Sequence, residues 1–435
     1  MVELSKEEEY ILDESSEISV GEKPFIGKIA DIFPALKNKN YRYFFLGGLV
    51  SLIGTWLQIV AEGWLVLKLT NSPFLIGLVA AAATVPTLLF SLFGGVIVDR
   101  YPKKKILIFT QTASMILALI YGVLTVLGLI NISEIITLAF LLGTVTALDM
   151  PARQAFNVEL VGKEDLSSAI SLGAGAFNAA RVIGPSIAGI IIAVWGSGGA
   201  FILNGLSYIA VIIALFAMDV VSVAHPSGVH PLRAIKEGVS YSAKHPVIRT
   251  LLIYAGIISI FGWSYTTLMP YIAEHTFHLG ATGLGYMYAA TGLGALVSTV
   301  LVSYYSKKVS STIFIVGGNL IFSIAIILFS FTNNVIIALP FLFFAGVGLL
   351  STFSVMNTTI QHLVEDQYRG RVMSIYTIMF LGMAPLGNLE VGFVSEHLGT
   401  LVAIRIGVII TLVFAAIVYL LRKRIAVSYQ EYKNS

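Results

Sequence analysis

The chain has 435 residues, of which 57% are hydrophobic and only 12% are charged, and its formal net charge is +3. This composition excludes a soluble domain of such length, and repeated apolar runs of about 20 residues predict transmembrane helices. The absence of cysteine excludes disulfides, thiolate metal sites and thiol nucleophiles. We therefore predict an all-α polytopic membrane protein.

The apolar runs divide the chain into two tails, two helix bundles and a central loop. Residues 1–40 are polar, rich in Glu and without the features of a cleaved signal, which predicts a cytoplasmic tail. A six-helix bundle is predicted over 41–220, a cytoplasmic loop over 221–248, a second bundle over 249–421 and a cytoplasmic tail over 422–435. The twelve predicted helices cover residues 43–67, 74–98, 105–129, 134–154, 168–194, 199–219, 249–272, 282–304, 311–331, 334–360, 371–395 and 400–421.

The distribution of the basic residues predicts the orientation in the membrane. Of the 27 Lys and Arg residues, all but Lys68, Arg181 and Arg405 fall in the tails, the central loop and the connections on the same side. Because an excess of Lys and Arg stays cytoplasmic, we expect both termini in the cytoplasm and the protein in the inner (cytoplasmic) cell membrane.

The two predicted bundles repeat each other. At an offset of 203 residues, basic loops and several small residues of the two halves coincide. The matched glycine pairs are Gly143 with Gly346, Gly184 with Gly387, and Gly189 with Gly392. A parallel six-plus-six repeat allows one bundle to rock against the other around a site near the bilayer midplane.

The connection between the second and third helices carries a charged motif. It contains Gly95, Asp99, Arg100 and Lys103, with Pro102 where a second glycine would stand. This motif resembles the loop signature of the major facilitator superfamily. The resemblance extends over all twelve helices and implies the fold of that superfamily, with two six-helix pseudo-repeats and alternating access.

Within that superfamily the chain is similar to bacterial drug and siderophore exporters of the enterobactin-exporter type. The similar stretches are residues 54–73, 147–155 and 179–189. The last stretch holds Gly184, Pro185 and Gly189 and resembles the antiporter signature of these exporters, with Ala at two of its glycine positions. The resemblance implies export of small molecules and a bend of the fifth helix.

A conformational latch is predicted at the cytoplasmic ends of the helices. Asp99 can accept hydrogen bonds from the start of the eleventh helix near Arg371, or it can pair with Arg153. Gly95 would let the two halves approach closely. The alternative is that Asp99 is a solvated turn residue. Asp149 and Arg153 lie four residues apart on one helical face, so they can form either a structural or a gating pair.

Glu62 is the most informative single residue, since it lies inside the first helix near Gln58. A carboxylate costs at least about 2.5 kcal/mol at the bilayer centre, so it must face protein, water or a partner. Burial disfavours its ionised form, which would suit exchange of protons with the outside. We expect proton coupling or substrate binding here, and the alternative is a structural hydrogen-bond hub.

Arg181 is the other deeply placed charge of the first half. It stays protonated and needs an anion, carbonyl groups or water. It could bind carboxylate or phenolate oxygens of a substrate, compensate Glu62, or serve as a structural tie.

In the second half, Glu390 and Arg405 lie at similar predicted depths, and a pair between them is the simplest interpretation. Asn388 is close to Glu390 and is expected to share the cavity. Glu274 is expected to be solvated at the outer end of the seventh helix.

These features predict a secondary transporter that exports amphipathic drugs or siderophores, coupled to proton influx, with substrate, protons and lipid as its partners. The alternatives are an importer, a lipid flippase or a metal-ion exporter of the same fold, or a membrane sensor without transport. No P-loop, catalytic triad, metal-ligand spacing or redox motif stands out, so we expect no enzymatic activity, cofactor, resident metal or nucleic-acid partner. A monomer is expected.

Overall fold

The computed structural model describes residues 32–220, 231–306 and 308–434, which are almost entirely helical. The predicted tail up to residue 31 and the first part of the central loop lie outside these residues. The helices are α1 (Lys39–Thr70), α2 (Pro73–Arg100), α3 (Lys103–Val126), α4 (Ile132–Val161), α5 (Leu166–Ala217), α6 (Pro231–Lys244), α7 (Pro246–His275), α8 (Gly280–Tyr305), α9 (Ile313–Phe329), α10 (Val335–Leu363), α11 (Asp366–Leu398) and α12 (Thr400–Asn434).

Ten of these helices in the described ranges are long and apolar enough to cross a membrane, and α9 is a shorter apolar helix. Helix α5 has 52 residues, or about 78 Å of helix, whereas a bilayer core is about 30 Å thick. The backbone of α5 leaves helical geometry at Gly196, with φ 70° and ψ 177°, so it provides two crossings. The architecture is therefore consistent with the twelve predicted crossings.

We call the end of the bundle where α1 begins and α12 ends the terminal face, and the opposite end the far face. Short connections with explicit caps turn the chain at the far face. Between α1 and α2, Asn71 adopts φ 52° and the Ser72 hydroxyl accepts from the backbone of Leu75. Asn131 and Glu134 form a capping box at the start of α4.

The glycines that match at the offset of 203 residues occupy equivalent helix crossings. Gly143 packs against Ala83 of α2, while Gly346 packs against Thr291 of α8. Gly184 contacts α1, and its match Gly387 contacts α7. Gly189 contacts α8, and its match Gly392 contacts α2. Each pair thus contacts corresponding helices of the two halves, which confirms the pseudo-repeat.

Three helices of the second half are less regular than predicted. Single π-helical turns occupy Ile258–Gly262 in α7, Ile313–Gly317 in α9 and Ile378–Gly382 in α11. The Ser259 hydroxyl donates to the Phe380 carbonyl at 2.7 Å and so joins two of these turns. A 3-10 stretch, Trp263–Leu268, follows in α7 and brings its side chains to the central cavity.

The predicted central loop contains the helix α6, which packs on the start of α11. Gly238 faces the Arg371 carbonyl, the ring of Tyr241 stacks on Tyr368 at 4.4 Å, and Glu237 binds Arg371 at 3.0 Å. The C-terminal tail predicted from residue 422 is also helical, since α12 continues to Asn434.

Polar contacts join the two halves at the far face. Lys68 binds Glu274 at 2.5 Å, and the His275 ring contacts the Asn71 amide oxygen at 2.7 Å. Glu396 accepts from the Ser72 hydroxyl at 2.9 Å and from the backbone of Phe74 at 3.2 Å. Glu274, expected to be solvated, keeps part of its side chain exposed and in addition binds the end of α1 across the interface.

Several glycines toward the terminal face have no close neighbours. A Cβ added at Gly95, Gly173, Gly175 or Gly370 would meet no atom of the described residues within 4 Å. The predicted close approach of the two halves at Gly95 is therefore not formed in this conformation.

Candidate functional site

A cavity of about 390 Å³ lies between the two halves of the bundle. It is lined by α1, α2, α4 and α5 of the first half and by α7, α8 and α11 of the second. The cavity includes four of the five predicted coupling and substrate residues: Gln58, Glu62, Arg181 and Asn388. Because both halves contribute side chains, a rocking motion between them would change the site.

Glu62 reaches the cavity from α1 and is half-buried. Among the described residues it has no hydrogen-bond or salt-bridge partner, so the structural hub considered from the sequence is not formed. Its neighbours along the cavity wall include Ile59, Gly63 and Val66, all on the same helix. A carboxyl group without a partner in the protein is stabilised when a ligand or water in the cavity bonds to it.

Arg181 reaches the cavity from α5 and is only 6% exposed. Its guanidinium lies over the indole of Trp263, 4.8 Å from the ring centroid, and 6.0 Å from that of Trp56. These two residues belong to α7 and α1, so the cation sits where the halves meet. No salt bridge joins Arg181 to Glu62, which makes the predicted charge compensation between them wrong in this conformation.

Polar side chains at the cavity wall are held by hydrogen bonds. Asn204, on the second arm of α5, donates to the Gln58 side-chain oxygen at 2.5 Å and accepts from Ser207 at 3.1 Å. Thr267 of α7 donates to the Asn388 side-chain oxygen at 2.8 Å. Gln58 and Asn388 are thereby oriented toward the cavity, one from each half.

Several lining residues were not singled out from the sequence, notably Asn204, Tyr208 and Thr267. Asn204 carried a usable signal, because an amide inside an apolar membrane helix normally faces a partner or a cavity. Thr267 carried none, since its orientation depends on the irregular backbone of α7.

Glu390 does not line the cavity, and the Arg405 pair predicted for it is wrong. Arg405 instead donates to the hydroxyl and the carbonyl of Ser330, at 2.8 and 2.6 Å, and its guanidinium lies over Phe331 at 4.0 Å. Glu390 is half-buried on α11. The two residues lie on neighbouring helices, but their side chains have different surroundings.

None of the predicted latch residues is among the residues that line the cavity. Asp149 and Arg153 form the salt bridge that their spacing allows, at 3.2 Å. Asp149 also accepts hydrogen bonds from the side chains of Thr110 and Gln111 of α3, at 2.6 and 2.7 Å. In the charged motif, Arg100 is exposed, whereas Lys103 is buried and binds Glu159 of α4 at 3.2 Å. The motif thus also stabilises the first half internally.

The small residues predicted to bend the fifth helix serve close packing. Gly184 contacts Trp56 and Ile53 of α1, and Gly189 contacts Ala281 of α8. Pro185 lies inside α5. Gly184 therefore brings α5 against α1 of the first half, and Gly189 brings it against α8 of the second half.

A helical bundle of two pseudo-repeats, with a largely apolar cavity that carries a few polar and charged side chains between them, is the architecture of a membrane transporter of the major facilitator fold. Comparison with known proteins narrows the class. The chain belongs to the family described as transmembrane secretion effectors, whose model matches residues 30–433.

The relatives of known function are transporters of siderophores and drugs. The staphyloferrin A transporter of Staphylococcus aureus is 28% identical over 393 residues, which cover 90% of this chain and 98% of the relative. The multidrug efflux pump Tap of Mycolicibacterium fortuitum is 24% identical, covering 80% and 87%. The enterobactin exporter EntS of Escherichia coli is 23% identical, covering 80% and 85%.

Solved structures share the fold at low sequence identity. A bacterial homologue of the human lysosomal transporter Spinster, in an inward-facing and unoccupied conformation, superposes with a TM-score of 0.70 at 14% identity, covering 95% of this chain and 99% of that one. The transporter PepTSo superposes with a TM-score of 0.70 at 11% identity, covering 92% and 99%. The family and its relatives identify the protein as a secondary transporter and not an enzyme.

Proposed function

We propose that the protein exports small amphipathic molecules from the cytoplasm by alternating access, and that protons entering through Glu62 drive the cycle. The observation that carries the proposal is the Glu62 carboxyl group, which lines the cavity without a hydrogen-bond or salt-bridge partner among the described residues. A group in this position can exchange a proton with water or with a ligand, because no protein contact has to break first.

The outward direction rests on two kinds of support. The stretch around Gly184, Pro185 and Gly189 resembles the antiporter signature, and two relatives are named an efflux pump and an exporter. The orientation rests on the positive-inside rule, which assigns the terminal face to the cytoplasm. With that orientation, the polar contacts that join the two halves at the far face lie on the outer side of the membrane.

The transport cycle follows from the two halves acting as rocking bodies. We assign residues 41–220 and 249–421 to these bodies and residues 221–248 to the cytoplasmic connection. Closing the terminal face would bring Gly95 and Asp99 toward the start of α11, while the far-face contacts of Lys68 and Ser72 would break. If Arg371 bound a new partner in that state, its salt bridge to Glu237 would break. If it kept Glu237, α6 would move together with α11. The monomer contains the whole cavity.

The test measures uptake into inside-out membrane vesicles with an imposed acid-inside gradient. Three fluorescent amphiphiles with the same ring system, one cationic, one neutral and one anionic, serve as cargo. We expect gradient-dependent uptake of at least one probe, and at least a tenfold lower initial rate for Glu62→Gln, in line with the loss of a group that transfers a proton, typically worth about 10²–10⁴-fold.

Glu390→Gln is the matched control, since it removes a half-buried membrane carboxyl group outside the cavity, and it should retain most of the uptake. Gradient-driven uptake that persists in Glu62→Gln would move the coupling site to Asp149 or Glu390. Probe movement in the opposite direction would identify an importer. Uptake indifferent to the gradient would refute proton coupling.

A further inference from the structure

Arg181 presents a buried cation without a protein anion to neutralise it. The residue is only 6% exposed, and it has no hydrogen bond or salt bridge to any described residue. Its contacts are the two indole rings at 4.8 and 6.0 Å. A guanidinium has five hydrogen-bond donors, and indole faces satisfy none of them. Burial of an unpaired charge is costly, so this arrangement points to a ligand.

The other membrane arginine of the described chain shows the contrast. Arg405 is bonded twice to Ser330 and covers the Phe331 ring, so at least two of its five donors are used within the protein, whereas Arg181 has none bonded to a described residue. Both arginines lie over aromatic rings, yet only Arg181 lines the cavity. The difference indicates that the free donors of Arg181 belong to the binding site and are not a general feature of arginine in this bundle.

The geometry points to a site for an anionic group of the cargo, and we propose that Arg181 binds a carboxylate or phenolate there. The proposal rests on the proposed transport function and names its substrate class. The planar guanidinium fork matches a carboxylate through two parallel hydrogen bonds. The indoles of Trp56 and Trp263 border the cation and offer apolar walls to an adjoining ring.

The location of the site links cargo binding to the conformational cycle. Trp56 belongs to α1 of the first half and Trp263 to the 3-10 stretch of α7 in the second, while Arg181 lies on α5. A rocking motion of the halves would separate the two indoles. The anion site would therefore exist as a complete unit only in some conformations, as alternating access requires.

The test is a binding measurement on the detergent-solubilised full-length protein, independent of any gradient. The chain has four Trp residues, and a variant with Trp64→Phe and Trp195→Phe keeps only the two indoles of the site. Quenching of their fluorescence is followed with para-nitrobenzoate, the neutral para-nitrobenzamide and the cationic para-nitrobenzylammonium. These probes share a ring and differ mainly in charge.

We expect the anionic probe to bind at least about tenfold more tightly than the amide, since hydrogen bonds to charged groups are among the strong ones in proteins. The preference should disappear in Arg181→Gln and persist in weakened form in Arg181→Lys, which keeps the charge but loses the fork. Arg405→Gln should keep the full preference. Thermal unfolding of each variant establishes that it is folded.

Equal or weaker binding of the anion relative to the amide, including no anion binding up to its solubility limit, would overturn the proposal. So would an anion preference that survives in a folded Arg181→Gln variant. The wild-type comparison needs no arginine variant to fold. An anion preference together with failure of gradient-driven uptake would support this site and refute the transport proposal. Gradient-driven uptake without an anion preference would support the transport proposal and refute this site.

Discussion

At the scale of single residues, the site is defined by which polar groups the protein satisfies and which it leaves for a ligand. Gln58, Asn388 and Asn204 have partners in the protein, and they shape the wall. Glu62 and Arg181 face the cavity without hydrogen-bond or salt-bridge partners among the described residues. Charges inside a membrane protein are costly, so the position of these two groups at the cavity supports the roles proposed for them.

One prediction at this scale concerns Asn204, which is fully buried and bonded to Gln58. We expect Asn204→Leu to lower the free energy of unfolding by about 1–3 kcal/mol, because the Gln58 amide loses its partner. Thermal unfolding in detergent measures this effect. Asn178→Leu is the control, since that amide donates within its own helix to Ala174 and should change little. Equal unfolding midpoints for the two variants would contradict the assignment.

At the scale of helices, close packing depends on glycines at the crossings. Gly143 in α4 and Gly346 in α10 each lie against the backbone of the neighbouring helix. The match of these two glycines in the sequence anticipated the crossings, because close helix approach in membranes requires small residues. The π turns in α7, α9 and α11 each end at a glycine, but a glycine inside an apolar helix does not by itself predict a π turn.

We predict that Gly346→Ala destabilises the protein by about 1–3 kcal/mol, because the added methyl group overlaps the Thr291 carbonyl and forces α8 and α10 apart. Unfolding midpoints and the yield of monodisperse protein report the effect.

Gly370→Ala is the comparison for that variant, since its methyl group meets no described atom within 4 Å. It should be neutral or slightly stabilising, because Ala favours a helix over Gly by about 1 kcal/mol. A Gly346→Ala protein as stable as Gly370→Ala would show that α8 and α10 can adjust without cost.

At the scale of the whole molecule, the conformation is set by contacts on one face. The Lys68–Glu274 bridge and the bonds of Glu396 and His275 hold the far face closed. The latch predicted from the sequence lies at the opposite face, around Asp99 and Arg371. There Arg371 binds Glu237 of α6 within the second half, whereas the far-face contacts join the two halves and would have to break for that face to open.

We predict that Glu274→Lys shifts the population toward a state open at the far face. An exposed salt bridge contributes up to about 1 kcal/mol, so the shift is up to about fivefold. A cysteine at Ile59, which lines the cavity, reports it through labelling by an impermeant maleimide from the far side. The charge-swapped double variant Lys68→Glu with Glu274→Lys should restore slow labelling. Fast labelling in the double variant would show that the pair itself is not responsible.

The orientation is tested by a second pair of single cysteines. Lys163 is exposed in the turn between α4 and α5, and Ser133 is exposed at the start of α4. We expect an impermeant maleimide to label Lys163→Cys only in inside-out vesicles and Ser133→Cys only in right-side-out vesicles. The reversed pattern would contradict the positive-inside assignment and, with it, the proposed direction of transport.

The sequence by itself determined the properties that depend on composition and local pattern. Hydropathy predicted the crossings, because the bilayer requires long apolar helices whatever their packing. The offset of 203 residues predicted the pseudo-repeat, and intramembrane charge singled out Glu62 and Arg181. Each of these inferences needs only neighbouring residues and the energetic cost of polar groups in lipid.

Only the tertiary structure decided which of the charged groups meet. Glu390 and Arg405 have similar predicted depths, yet Arg405 binds Ser330. Glu274 binds Lys68 from the other half. The pairing of Asn204 with Gln58 and the placing of Arg181 between two indoles likewise join distant segments. Such contacts depend on how each helix is rotated and on how it crosses its neighbours. Sequence periodicity predicts which face of a helix is buried, but not which residue of another helix that face contacts.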